Sequence, residues 1–131
     1  MPTNKKIGND FEREFCERLA AEGFWVHNLA MNSAGQPADV IAVRNGKAFL
    51  IDCKHCSGKG FDLRRIEENQ QLAMELWEER GNCVGWFALK VKESIYMICY
   101  KALCEARNYF TTIPNAVIEI IGIRFEEWVK C

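Results

Sequence analysis

Apolar side chains recur at every fourth position from Ile7 through Phe11 and Phe15 to Leu19, the spacing of one stripe on an amphipathic helix. The pattern predicts a helix from about Gly8 to Ala21, with Asn9 as its N-cap and Gly23 ending it. Phe24 to Leu29 then reads as a strand, and Ala30 to Pro37, small, polar and closed by proline, as an exposed loop. Two runs of β-forming residues follow, Ala38 to Arg44 and Lys47 to Lys54, joined by Asn45-Gly46, the dipeptide best suited to a two-residue hairpin turn. Both faces of this hairpin are apolar, Ile41, Val43, Ala48 and Leu50 on one side, Val40, Ala42, Phe49, Ile51 and Cys53 on the other. Such strands belong to a sheet covered on both sides. Gly58 and Gly60 predict a loop from Ser57 to Phe61, and Asp62 is placed to cap a helix from Leu63 to about Glu79, stopped by Gly81-Asn82. Cys83 to Leu89 and Ser94 to Tyr100 read as two more strands, Ala102 to Tyr109 as a short helix, and Val117 to Ile123 as either strand or helix. The order predicts an α/β fold, a central mixed sheet flanked by helices on both faces, and 131 residues suit a single domain spanning 1–131.

The Asn-Gly turn also sets a register. With Arg44 opposite Lys47, Ile41 meets Leu50 and Asp39 meets Asp52, while Lys54 emerges on the Asp52 side one step further on. Opposed like charges destabilise an antiparallel pair. Two readings follow: a hard divalent cation such as Mg²⁺ sits on the two carboxylates, or both end their strands at a solvated rim with Lys54 as counter-charge. An odd loop length would separate the aspartates onto opposite faces.

Composition narrows the field. No uncharged apolar run approaches the ~18 residues of a membrane span, and the N-terminal Met1-Pro2-Thr3-Asn4-Lys5-Lys6 has no apolar segment after it, so the expectation is a cytoplasmic protein without membrane contact. Seven cysteines, several inside apolar patterns, argue for reduced thiols as core filler. Cys53-Lys54-His55-Cys56 lacks the second ligand pair of a structural zinc site, and Cys53 alternates away from Asp52 and Lys54. A net charge of −1 gives no global nucleic-acid signal, but Lys54, His55, Lys59, Arg64 and Arg65 stand against one acid, Asp62, between residues 54 and 65. They read as a basic patch beside the acidic pair or as a solvated loop.

Three further residues are candidates for the same centre. Glu12 lies one position off the helical stripe and fits either a capping box begun by Asn9 or a further acidic ligand. Gln70 puts an amide on a stripe otherwise made by Ile66, Ala73 and Trp77, and a buried amide requires partners. Ser33 lies on the loop ahead of Asp39, within reach of a phosphate. Trp25, Trp77, Trp86 and Trp128 fit core positions better than a base-stacking platform.

Pro37-Ala38-Asp39, followed by Asp52-Cys53-Lys54 at the end of the next strand, resembles the PD-(D/E)xK motif of the restriction-endonuclease-like nuclease superfamily. Gly8 to Glu14, Gly23-Phe24, Ser33 and Pro37 to Lys54 resemble the archaeal-type Holliday-junction resolvases; Phe61 to Ile66 with Asn69-Gln70 resembles the RecU-type resolvases, the penicillin-binding-protein-related factor A group. The resemblance spans roughly residues 7–90. Asp52 departs from the commoner Glu, Asn69 stands where RecU-type proteins have His, and the chain is shorter than theirs, with a junction-inserting stalk absent or reduced.

The resemblance implies a restriction-endonuclease-like fold and a Mg²⁺-dependent DNA endonuclease, with Mn²⁺ able to substitute, encoded by a bacterium, archaeon or phage. Asp39, Asp52, the Cys53 backbone carbonyl and Glu12 would hold the metal. Lys54 would act on the attacking water or the phosphate, and Gln70 would position a water or phosphate oxygen. Ser33, His55, Lys59, Arg64 and Arg65 would contact DNA, and a two-fold four-way junction implies a homodimer. Another DNA nuclease of this fold, acting on flaps or nicks, and a catalytically silent DNA-binding module are the alternatives.

Overall fold

The structure, a computed structural model, describes residues 3–29 and 38–131. Helix α1 (Asn4–Ala21) begins four residues before the predicted Gly8. Its N-cap is Thr3, whose side chain accepts the Lys6 N–H at 3.1 Å, so Asn9 caps nothing and Glu12 lies well inside the helix rather than in a capping box. Strand β1 (Trp25–Asn28) leads towards β2 (Val40–Arg44) and β3 (Lys47–Cys56). The predicted hairpin register holds from Arg44↔Lys47 to Val40↔Ile51, with Asn45 and Gly46 both at positive φ (53° and 77°), as a primed two-residue turn requires.

A short strand β4 (Phe61–Asp62) precedes a single 3₁₀ turn, Leu63–Arg65, and helix α2 (Glu68–Glu79). Asp62 does cap, its carboxylate accepting the Arg64 N–H at 2.9 Å, but the helix predicted from Leu63 is broken by extended backbone at Ile66 and Glu67. The break lets Leu63 and Ile66 both enter the core. Strands β5 (Trp86–Val91) and β6 (Ser94–Cys99) follow, then α3 (Tyr100–Ala106) and β7 (Thr112–Ile113). The ambiguous stretch Val117 to Ile123 divides into the end of helix α4 (Asn115–Ile121) and the start of strand β8 (Ile123–Arg124), before α5 (Phe125–Trp128).

The main sheet has six strands in the order β1-β2-β3-β5-β6-β8, with β3 and β5 parallel and the other neighbours antiparallel. One face packs Val40, Ala42, Ile51 and Cys53 against Phe11, Phe15 and Leu19 of α1 and Phe125 and Trp128 of α5. The other packs Leu50, Phe87 and Leu89 against Ile66 and Met74 beside α2 and Leu103 and Ile118 of α3 and α4. The mixed sheet covered on both faces is as the pattern predicted. All seven cysteines are free, with Cys53 on the α1 face as filler. Trp25 corrects the sequence reading: it is 62% exposed on the edge strand, stacked on His27 at 6.1 Å. Trp128 is buried, and Trp77 and Trp86 are partly buried.

Candidate active site

The site grows from a difference in strand length. β2 begins at Val40, opposite Ile51, whereas β3 runs on to Cys56 and, among the described residues, pairs there with β5 alone, on its other side. At this fork the chain bends. Asp39 N–H donates to Ile51 O at 3.2 Å, and the Asp39 carboxylate accepts the Cys53 N–H at 2.9 Å, a donor that a continued ladder would direct to backbone. At this bend the Asp39 carboxylate neighbours that of Asp52 on β3 and that of Glu12 on α1, and raises the affinity of both for a proton.

Asp52 is 1% exposed. Lys54 Nζ lies 3.1 Å from its Oδ2, and Gln70 Nε2 donates to its Oδ1 at 3.1 Å. Gln70 sits in the first turn of α2, where its Oε1 accepts the Glu67 N–H at 3.3 Å. One buried amide therefore closes the helix terminus and holds the acid. Burial, then the neighbouring Asp39, pushes the Asp52 carboxyl well above the ordinary carboxylate range, with Lys54 opposing. Glu12 is pushed up to about 7 by burial first and Asp39 second. Glu12 and Asp52 thus hold protons that exposed carboxyls would release.

The donor set suits a hard divalent cation. Glu12 Oε1 is buried with no hydrogen-bond partner, and Asp52 Oδ2 has no partner beyond the Lys54 ion pair. Buried carboxylate oxygens that lack donors and repel one another are what a hard, oxygen-preferring ion relieves. Among the described residues no three His, Cys, Asp or Glu side chains already form a metal-holding group, so an ion would draw these acids together.

A cleft of about 620 Å³ opens beside them, lined among others by Glu12, Asp39, Lys54, His55 and Arg65. Arg65 donates to His55 O at 3.0 Å, which places its guanidinium along the continuing edge of β3. The other basic residues diverge. Lys59 is exposed on the turn between Ser57 and Gly60, and Arg64 is ion-paired with Asp62 at 2.7 Å, facing a separate hollow with Arg107. Ser33 lies outside the described residues. Sequence reasoning missed Asn4 and Gly8, which line the cleft because α1 starts early, and Lys90, which ties β5 to α1 through Glu14 at 2.6 Å. Lys90 between Leu89 and Val91 was the available signal, a charge inside an apolar strand.

A six-stranded mixed sheet carrying two aspartates and a lysine at the end of its hairpin defines a nuclease of the restriction-endonuclease-like class. The chain belongs to the archaeal Holliday junction resolvase (Hjc) family, whose sequence model matches residues 3–131. It is accordingly a Holliday-junction resolvase nuclease, an endonuclease that hydrolyses phosphodiester bonds. Among solved structures, the Hjc of Archaeoglobus fulgidus, a Holliday junction resolvase from an archaeal hyperthermophile, superposes with a TM-score of 0.66 at 16% identity, over 94% of this chain and 95% of that one. A bacterial homing endonuclease superposes with a TM-score of 0.59 at 16% identity, over 86% and 75%. At that identity the likeness is one of fold. No curated protein sequence matches this chain.

Proposed function

We propose that Glu12, Asp39, Asp52 and Lys54 form a Mg²⁺-dependent centre that cuts one strand of a four-way DNA junction, within a chain that is a single nuclease domain. The observation that carries this is the meeting of three carboxylates and one ammonium at the fork between β2 and β3. Glu12, Asp39, Asp52 and the Cys53 carbonyl would hold the ion. When bound, Mg²⁺ supplies charge neutralisation at the phosphate and acidifies a water molecule.

The chain's own groups do the positioning. Cys53 N–H fixes the Asp39 carboxylate at the cleft, and Gln70 fixes the buried Asp52 behind it, so both acids are held in set orientations. Lys54, held over Asp52, presents its ammonium to the scissile phosphate, where negative charge grows as water attacks phosphorus and the bridging P–O bond breaks. Arg65 and His55 line the cleft wall and grip the neighbouring phosphates, and Lys59, Arg64 and Ser33 are the remaining DNA contacts.

A four-way junction has two-fold symmetry and two strands to cut, so the working unit is a homodimer. An apolar surface supports this. Trp25, His27 and Leu29 alternate onto the face of β1 that lies beside Ile41, and Leu76 and Trp77 of α2 border the same hollow as Leu29 and Ile41. Leu72, one turn earlier, is 56% exposed and Leu76 49%. Contiguous apolar surface of this kind marks an interaction face.

Asp39→Asn and Lys54→Ala are expected to abolish Mg²⁺-dependent cleavage of a synthetic four-way junction while keeping the circular dichroism of the parent. Undiminished cutting by either variant would sink the assignment. Paired symmetric nicks on the junction, with duplex, flap and single strand left whole, separate a resolvase from a general nuclease of this fold.

A further inference from the structure

At the opposite end of the hairpin from the carboxylates, a cavity of about 270 Å³ lies between the Asn45-Gly46 turn and α5. Four aromatic rings wall it. Phe49 and Trp86 meet Trp128 edge-on at 5.2 and 5.8 Å, and Phe24 stacks on Trp128 at 5.9 Å. Two cations, Arg44 and Lys47, join the lining beside Asn45, Cys83, Ile123 and Cys131, and no acidic side chain is among the described lining residues. Arg44 is held in place by the Glu22 and Val129 carbonyls and by the Phe24 ring, 4.2 Å from its guanidinium carbon, none of which neutralises it. Lys47 is exposed, and its ammonium forms no ion pair among the described residues.

We propose that this cavity binds a nucleobase carrying a phosphate. Each feature excludes a simpler occupant. An aliphatic chain would leave two cations unused, and inorganic phosphate would leave the aromatic walls unfilled. A planar ring packs against Phe49, Trp86 and Trp128, and its phosphate lies against Lys47 and Arg44. The choice of a nucleotide among planar anions rests on the nuclease reading, because nucleotides are what such a protein meets. The same chemistry comes from two sources, a free mononucleotide or an unpaired base within a DNA strand.

In ¹H–¹⁵N spectra of the full chain each of the four tryptophans gives one indole N–H signal, and Trp86→Phe identifies the one that matters. Deoxyadenosine 5′-monophosphate is expected to move the Trp86 signal saturably, with deoxyadenosine or inorganic phosphate alone moving it far less. Lys47→Ala, on an exposed side chain that leaves the fold intact, is expected to weaken the nucleotide about tenfold by removing one charge-assisted contact. A duplex with a single unpaired base that moves the signal, where the free nucleotide and the perfect duplex do not, assigns the site to DNA. A Trp86 signal unmoved by both the nucleotide and the bulged duplex overturns the proposal. Asp39→Asn is expected to keep the shift while losing cleavage, so failure of this cavity and failure of the carboxylate centre give different results.

Discussion

Asp52 has one oxygen on Gln70 and the other on Lys54, and removing either neighbour leaves a buried carboxyl short of a partner. Gln70→Ala is expected to cost about 1–3 kcal/mol in denaturant unfolding, the usual penalty for orphaning a buried polar group, and to lower cleavage more through kcat than through KM. Gln70→Glu would place a third like charge against Asp52 and is expected to be worse than alanine in both measurements. Glu12 makes a prediction about pH. Its folded value, about 7, lies above its ordinary 4.5, so the folded state holds this proton more tightly than the unfolded chain. The metal-free protein therefore loses stability as pH rises from about 4.5 to about 7, with no further loss from this group above that. Thermal melts across this window should show the decline, and Glu12→Gln should flatten it in part, with Asp52 supplying the remainder. Adding Mg²⁺ above pH 7 should raise Tm in the parent, and chelation should reverse the rise. A melt that ignores both pH and Mg²⁺ would count against the carboxylates acting as a metal centre.

Among the elements, α1 links the core to the chemistry. Phe11, Phe15 and Leu19 fix it over β2 and β3, the Glu14–Lys90 ion pair ties it to β5, and Glu12 is thereby brought to Asp39. Phe15 is fully buried, and Phe15→Ala is expected to cost about 3–5 kcal/mol in chemical denaturation and to weaken Mg²⁺ binding in calorimetry as α1 loosens. Elements written in local chemistry were legible in the sequence. The Asn45-Gly46 turn fixes its register through positive φ, and the alternation along Val40 to Cys53 names both covered faces. Elements decided by tertiary contact were not. Gly8 and Asn9 look like a helix start because glycine is a poor helix interior and asparagine a good cap, yet Thr3 caps earlier and nothing crowds Gly8. The break at Ile66 and Glu67 arises because Leu63 and Ile66 both pack into the core, which no local periodicity records. The same holds within the site. Asp39, Asp52 and Lys54 follow from hairpin register, whereas Glu12 and Gln70 were legible only as misplaced polar residues, since their helices meet the fork in three dimensions.

For the molecule as a whole, a net charge of −1 hides a division of labour. Basic groups line the cleft, and the apolar surface of β1 and α2 is the face proposed to meet a second copy. Leu76→Glu is expected to shift the protein from dimer to monomer in analytical ultracentrifugation. It should also turn paired nicking into uncoupled single nicks, with the single-strand cut retained. Junction affinity should fall steeply with added salt, and Arg65→Ala should make that dependence shallower by about one phosphate contact. A salt-independent affinity would speak against the cleft as the DNA-binding surface.

The fork at Asp39 has a practical consequence. Because the carboxylate also accepts the Cys53 N–H, Asp39→Ala removes a structural acceptor together with the charge and mixes a folding defect with a catalytic one. Asp39→Asn keeps a carbonyl oxygen for that N–H and drops only the charge. The asparagine variant is thus the natural trap, a protein able to clasp an uncut junction long enough for the complex to be isolated and its arms mapped.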